Sequence, residues 1–377
     1  MQRKLQMSGR DPSAFVQQIS IYVSSRFLPF ESLAFNRVRA RRFGGGGGGG
    51  GGDGGVHGRS WPAAIAEKRS GNLDADMAQL RCGMPGASDF CDPQNRTLAD
   101  DRVGYLFNDY AVAFSNMGRL NPLHGVIATR DFASPLHLSR SQVVGMFSLA
   151  HTWFARSREA HASDSPVFYP TFTWDLLRNG GASQAHPHIQ PHLGTARYPG
   201  RWEAYRLAAC QYSQAHAGSS LFADVATVHS QLGLIVRRTS HVIAFVSLTS
   251  VAAGPMIELI ADRDGADEAA LVSELGAVFH EVVEAAQAAL GWEGFSSSCA
   301  FPPMASARAA GDAPSSGTGG LPRICRVVPR GRYDALVSDL SANELFETPS
   351  VSIDLFEAAR RMRQHVHSTH DQEVRRR

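Results

Sequence analysis

Two distant stretches of the chain run through the same order of elements, and this repetition constrains the fold more than any other feature. Residues 112–131 read VAFSNMGRLNPLHGVIATRD, and residues 243–264 read IAFVSLTSVAAGPMIELIADRD. Each is an apolar run, a polar middle with Pro or Gly, a second apolar run and a closing Arg-Asp. That is the pattern of a β-hairpin with a long connection. Helical periodicity follows both. Residues 138–158 place Val143, Met146, Phe147, Ala150 and Phe154 at spacings of three and four. Residues 269–290 do the same with Leu271, Leu275, Val278, Val282 and Ala286. Ser139 and Asp267 are the expected N-caps. A β-type run comes next (166–174 and 295–303), and a Gly-containing turn leads to a last strand (184–193 and 324–329). The order hairpin, helix, strand, glycine loop, strand predicts an α+β fold of two tandem units, each an antiparallel sheet with a helix.

The ends of the chain read differently. Residues 1–43 carry eight basic residues against Asp11 and Glu31, and Gly44 to Gly52 is an unbroken glycine run. Such a run has no side chains to bury and loses maximal backbone entropy on ordering. Residues 1–70 are therefore expected to be a disordered or targeting extension with a poly-Gly linker. The repeat units are expected at 80–230 and 231–365, with a disordered tail at 366–377 and a loop at 306–320. A net charge of +2 gives no global electrostatic case for nucleic acid or an anionic membrane, and no apolar run approaches the roughly 18 residues of a membrane span. All but two of the 37 basic residues are arginines, and no lysine lies beyond Lys68, which excludes a Schiff-base or P-loop lysine from the folded part. Five cysteines, few and odd in number, do not read as a disulfide framework. The cytoplasm is the default compartment; the Arg-rich, acid-poor start keeps a mitochondrial or plastid destination open.

The densest chemical signal is Gly181-Ala182-Ser183-Gln184-Ala185-His186-Pro187-His188-Ile189-Gln190-Pro191-His192. On an extended strand His186, His188, Gln190 and His192 share one face. Three readings compete: a polar strand face, a metal site on the three histidines, and a nucleophilic imidazole with an amide helper. A neutral imidazole can attack phosphorus, and an amide two residues on can hold the phosphoryl oxygens. The upstream Gly181, Ala182 and Ser183 supply backbone N–H groups for an anion.

The pattern Gly-x-Ser-x-x-His-Pro-His-x-Gln resembles the active-site strand of the histidine-triad superfamily, and within it galactose-1-phosphate uridylyltransferase. Asn108-Asp109-Tyr110 is similar to that family's Asn-Asp-aromatic motif. The resemblance implies two tandem histidine-triad units of which only the first is catalytic, since Arg323-Ile324-Cys325-Arg326 stands where histidines would fall in the second. It implies His188 as nucleophile, His186 orienting it through the backbone carbonyl, and Gln190 on the phosphoryl oxygens. Asn108, Asp109, Gly181, Ala182, Ser183 and Asn179 would contact the nucleotide, with Asp175 nearer the spacing of the family's phosphate-binding Asn than Asn179 is. Bacterial members hold zinc through a close cysteine pair, a distal histidine and the first histidine of His-Pro-His. Here Cys82, Cys91 and His186 are the candidates, and Phe132 occupies the distal histidine region; neither a zinc site nor another cofactor is expected. The function implied is transfer of a uridylyl group from UDP-glucose to a hexose 1-phosphate. The partners would be a nucleotide sugar, a sugar 1-phosphate and a second copy of the chain. Diadenosine tetraphosphate phosphorylases and ATP adenylyltransferases share much of the strand, and Val126-Ile127-Ala128-Thr129-Arg130-Asp131-Phe132 is similar to their hairpin. A non-catalytic nucleotide-binding protein is the third alternative.

Overall fold

The structure, a computed structural model, describes residues 20–24, 32–36, 82, 87–132, 134–261, 267–306, 320–333 and 339–376. Ten strands form one antiparallel path, and their alternation sets which face each residue joins. In chain order they follow β1 (Ser20–Ser24) and β2 (Ser32–Asn36), which pair only with each other. The first group is β3 (Leu106–Phe107), β4 (Ala111–Ser115), β5 (Gly125–Thr129), β6 (Val167–Asp175) and β7 (His188–Gly194). The second is β8 (Ile235–Arg238), β9 (Val242–Val246), β10 (Ile257–Ala261), β11 (Phe295–Ala300) and β13 (Arg323–Pro329), with the short β12 (Met304–Ala305) beside β6. The spatial order is β3-β4-β5-β7-β6-β11-β13-β10-β9-β8.

The helices are α1 (Pro93–Arg96), α2 (Arg140–Ala160), α3 (Arg201–Ala215), α4 (Leu221–Gln231), α5 (Glu268–Leu290), α6 (Ala342–Phe346) and α7 (Leu355–Arg376). Hairpin β4–β5, helix α2 and strands β6 and β7 lie in the order β4-β5-β7-β6, while β9–β10, α5, β11 and β13 lie as β9-β10-β13-β11. The two groups meet where β6 pairs with β11, from Asp175 opposite Ser296 to Thr171 opposite Ala300. Both main helices start where their caps predict. Ser139 accepts from the Gln142 N–H in a full capping box, and Asp267 accepts from the Ala270 N–H.

Side chains at alternate positions separate the two faces. Ala113, Ile127, Phe172, Ile189, Leu259 and Cys299 turn toward α2 and α5 in the main core. There the Phe147 ring of α2 meets Phe279 of α5 at 5.2 Å and Phe172 of β6 at 5.0 Å. On the opposite face, Val112, Phe114, Val126 and Ala128 pack with Phe90 and Tyr105. Phe245, Ile260 and Ile324 on that face are covered by Tyr198, Trp202 of α3 and Phe222 of α4.

Several expectations change. The last strand of the first group begins at His188 rather than Gln184, because residues 180–187 form a turn. Helix α7 runs from Leu355 to Arg376, across most of the tail expected at 366–377, and Ala358, Ala359, Met362 and Val366 are buried at helical spacing. Its arginine-rich surface hid that stripe. Four of the five cysteines pair, Cys82 with Cys91 and Cys299 with Cys325, leaving Cys210 as the thiol. An odd total said nothing about which residues the fold makes neighbours. The expected boundary at 230/231 falls at the end of α4. Apart from β1 and β2, the extension at 1–70 lies outside the described residues, as does most of the loop expected at 306–320. Among the described residues no helix is long and apolar enough to cross a membrane.

Candidate active site

Strand β7 turns Ile189 and Leu193 to the main core, so His188 and Gln190 face the other way. They line a narrow cleft with Phe114, Asn116, Ser183 and Asp175. His188 is 5% exposed, and its Nδ1 lies 2.7 Å from the His186 carbonyl oxygen. A carbonyl only accepts, so Nδ1 carries the hydrogen and the ring's lone pair is on Nε2. The Phe90 ring stands edge-on to His188 at 5.1 Å. Gln190 Oε1 accepts from Asn116 Nδ2 at 3.0 Å, and Asn116 Oδ1 accepts from the Gly118 N–H at 2.8 Å. The Gly118 bond fixes which end of the Asn116 amide is which. Asn116 therefore pins Gln190 by its oxygen, so the NH2 is the opposite, donor end of that amide.

His186 sits before the strand and is fully buried. Its Nε2 donates to the Thr129 carbonyl at 2.7 Å, which leaves the Nδ1 lone pair 3.8 Å from Cys91 Sγ. Burial lowers its pKa below the usual histidine value, against a smaller opposing effect of the Thr129 bond. The ring is neutral at pH 7. His192, buried on the far end of β7, faces the His124 ring at 3.9 Å and does not line the cleft. The expected single face of four side chains is thus split three ways, because the strand starts two residues after His186 and His192 meets a second histidine.

The glycine loop is also rearranged. Gly181 adopts φ 102°, a conformation that glycine takes without steric penalty. The Gly181 and Ala182 N–H groups close turns on the Arg178 and Leu177 carbonyls, both at 3.0 Å, so they do not serve an anion. Ser183, exposed on the cleft, is the loop residue that remains to do so. Asn179 donates to the Arg330 and Gly331 carbonyls at 3.1 and 3.2 Å and is outside the cleft. Asn108 caps the β3–β4 turn, accepting from the Tyr110 and Ala111 N–H groups and donating to Gly145 O at 2.7 Å. Asn108 and the exposed Asp109 do not line the cleft. The cleft's asparagine is Asn116, eight residues on at the end of β4. Its Asn-Met-Gly context carried no sequence signal, whereas an Asn-Asp pair is common in turns.

The zinc candidates do come together. Cys82 Sγ, Cys91 Sγ and His186 Nδ1 lie within 4.8 Å of one another. The His186 ring is flanked by aromatics, with the Phe132 ring edge-on at 4.8 Å and Phe90 at 5.9 Å, and among the described residues no fourth His, Cys, Asp or Glu joins the three. The two sulfurs are joined to each other, so neither is a thiolate. A closed zinc site takes four ligands, and these residues do not fit one.

No protein-family description matches the chain, and neither does any curated protein. Solved structures do. A uridylyltransferase is similar at TM-score 0.60 and 14% identity, covering 93% of this chain and 99% of its own. An ADP-glucose phosphorylase from Arabidopsis thaliana, solved with bound ADP-glucose, is similar at TM-score 0.54 and 12% identity, covering 73% and 90%. A galt-like protein from the same plant is similar at TM-score 0.55 and 14% identity, covering 73% and 91%. The chain therefore has the fold seen in the uridylyltransferase and the galt-like protein.

Proposed function

We propose that the protein is a nucleotidyltransferase working by double displacement at His188. Nε2 attacks the α-phosphorus of a nucleoside diphosphate sugar, UDP-glucose being the donor implied by the sequence. A P–N bond forms, the P–O bond to the β-phosphate breaks, and a sugar 1-phosphate leaves with the electron pair. A second sugar 1-phosphate then attacks the same phosphorus through a phosphate oxygen, and the P–N bond breaks. The observation that carries this reading is the bond from His188 Nδ1 to the His186 carbonyl, which fixes the attacking tautomer. It also stabilises positive charge on the ring when Nε2 becomes bonded to phosphorus. Gln190, held by Asn116, donates to the phosphoryl oxygens as charge shifts onto them.

The two-unit reading, with a catalytic first unit and an empty second, is supported by the matched strand orders and by Arg323–Pro329 occupying the position of β7 in the second group. No metal takes part in these steps, and a homodimer belongs to the same proposal. Incubation with a panel of radiolabelled nucleoside diphosphate sugars and dinucleoside polyphosphates tests it. The expected result is an acid-labile, alkali-stable nucleotidyl label on His188 from a nucleotide sugar. Discharge of that label by inorganic phosphate rather than sugar 1-phosphate would make the enzyme a phosphorylase. Nucleotide binding without label would make it a non-catalytic binding protein.

A further inference from the structure

The two disulfides differ in what can reach them. Cys299 and Cys325 are fully buried, whereas Cys82 is exposed and Cys91 half-buried. The accessible pair also stands at the wall of the cleft. Cys91 ends a tight 3-10 turn, Asp89–Cys91, whose Asp89 and Phe90 line the cleft and whose Phe90 ring stands edge-on to His188. Ser88 Oγ donates to Gln184 Oε1 at 3.1 Å, tying the turn to the loop before His188, and Phe90 meets the Phe114 ring at 5.2 Å. The disulfide closes residues 82–91 into a covalent ring and anchors the same turn from its other end. We infer that Cys82–Cys91 is a thiol-exchange site whose redox state gates the nucleotide cleft. Joined, the pair holds Phe90 against His188 and keeps the wall in place for nucleotide; reduced, it releases that wall and uncovers His188.

The reductant is a dithiol. One of its thiolates attacks the exposed Cys82 sulfur, a new S–S bond forms, and the Cys82–Cys91 bond breaks with its electron pair going to Cys91. The second thiol of the dithiol then displaces Cys82. The dithiol ends as a disulfide, its two protons end on Cys82 and Cys91, and two electrons have passed. His186 faces the product. Its Nδ1 lone pair, 3.8 Å from Cys91 Sγ, meets a sulfur without hydrogen in the disulfide and an S–H donor after reduction. The reduced state thus gains a contact on the residue whose carbonyl orients His188. Nucleotide as the molecule admitted rests on the transferase reading; the state of the gate does not.

The test treats the full chain with dithiothreitol in EDTA and follows alkylation of each cysteine by peptide mass spectrometry. Cys82 and Cys91 should become reactive while Cys299 and Cys325 stay paired; no reaction at Cys82, or all four opening together, overturns the exchange site. With the reductant removed, diethyl pyrocarbonate reads the gate without any nucleotide. His188 should be modified about 3- to 10-fold faster in the reduced protein, the freedom of one or two side chains, with His192 unchanged. The rate should return on reoxidation with oxidised glutathione. Cys82→Ser/Cys91→Ser, which cannot close the ring, should stay fast under both conditions, and reduced wild type gives the same reading if that variant does not fold. An unchanged His188 rate overturns the gate. UDP-glucose and ADP-glucose, titrated calorimetrically, should bind the reduced form more weakly by the same factor, and equal binding to both forms also overturns it. If the His188 rate responds but neither nucleotide binds either form and no donor labels His188, the gate stands and the transferase reading falls. If His188 is labelled equally in both redox states, the reverse holds.

Discussion

The pinning of Gln190 by Asn116 can be broken in two graded ways. Asn116→Ala removes the donor to Gln190 Oε1, a neutral bond 3.0 Å long contributing about 1 kcal/mol. The Gln190 amide then samples both orientations, so the productive one is diluted and the nucleotidylation rate falls about 2- to 10-fold. Asn116→Asp keeps the acceptor for the Gly118 N–H but replaces the donor by a carboxylate oxygen. That oxygen accepts from the Gln190 NH2 with about 1.5–3 kcal/mol of charge-assisted strength. The amide flips and presents oxygen, not hydrogen, to the phosphoryl group. The loss should approach that of removing an oxyanion donor altogether, about 10²- to 10³-fold, and should match Gln190→Ala. Single-turnover quench-flow on the His188 label, with circular dichroism to check folding, measures all three. Since Asn116 acts through Gln190, the Asn116→Ala/Gln190→Ala double variant should be no slower than Gln190→Ala. Asn116→Asp reacting as fast as Asn116→Ala, or the double variant showing the product of the two single losses, would refute the argument.

His188→Ala should abolish labelling, while His192→Ala, whose ring meets His124 outside the cleft, should keep it with a lower Tm; equal loss in both would sink the assignment. Because the folded-state pKa of His186 is lowered, the unfolded chain binds the extra proton as pH falls through about 6.5, and stability drops by at most about 1.4 kcal/mol per pH unit until the folded pKa is reached. Urea unfolding from pH 7.5 to 5.5 should show this component in wild type and lose it in His186→Gln; identical profiles would count against it. Purified protein should hold no stoichiometric zinc, whereas Phe132→His, after reduction of the Cys82–Cys91 pair, should bind about one per chain by placing a fourth donor beside His186. Elemental analysis decides, and wild-type zinc whose chelation unfolds the protein would overturn it. Truncation to a start near Asn72 should leave the labelling rate unchanged. Fusion of residues 1–43 to a reporter tests organellar import, and an untargeted reporter would argue against a transit peptide.

The regular elements were legible because their patterns are written openly. The apolar runs at Ala111–Ser115 and Gly125–Thr129, buried throughout, and the three-and-four spacing from Val143 to Phe154 survive in the fold with boundaries shifted by a residue or two. The placing of His188 and Gln190 on one cleft was legible too, since histidine-proline-histidine-x-glutamine packs both into five residues. What failed was any role that depends on contacts across the sheet. Asn116 reaches Gln190 over 74 positions, and Cys91 approaches His186 over 95. No local window contains either pair. The cover that Trp202 gives the sheet was missed for a related reason: it sits on α3, a helix with only a weak apolar stripe, between the two repeats. Gly181 and Ala182 misled in the opposite direction. Their composition matched an anion cradle, but their N–H groups are spent on the loop's own carbonyls.

The β6–β11 pairing has a mechanical meaning. Its five residue pairs, Asp175–Ser296 through Thr171–Ala300, set the inner edge strand of each half of the sheet against that of the other. A chain divided between α4 and β8 would give two pieces, each ending in a bare row of backbone donors and acceptors. Such fragments should be sticky alone and soluble together, reassembling across that row. Heating the intact protein should melt both halves in one event, since neither can let go without baring the edge of the strand that carries Thr173 and Asp175.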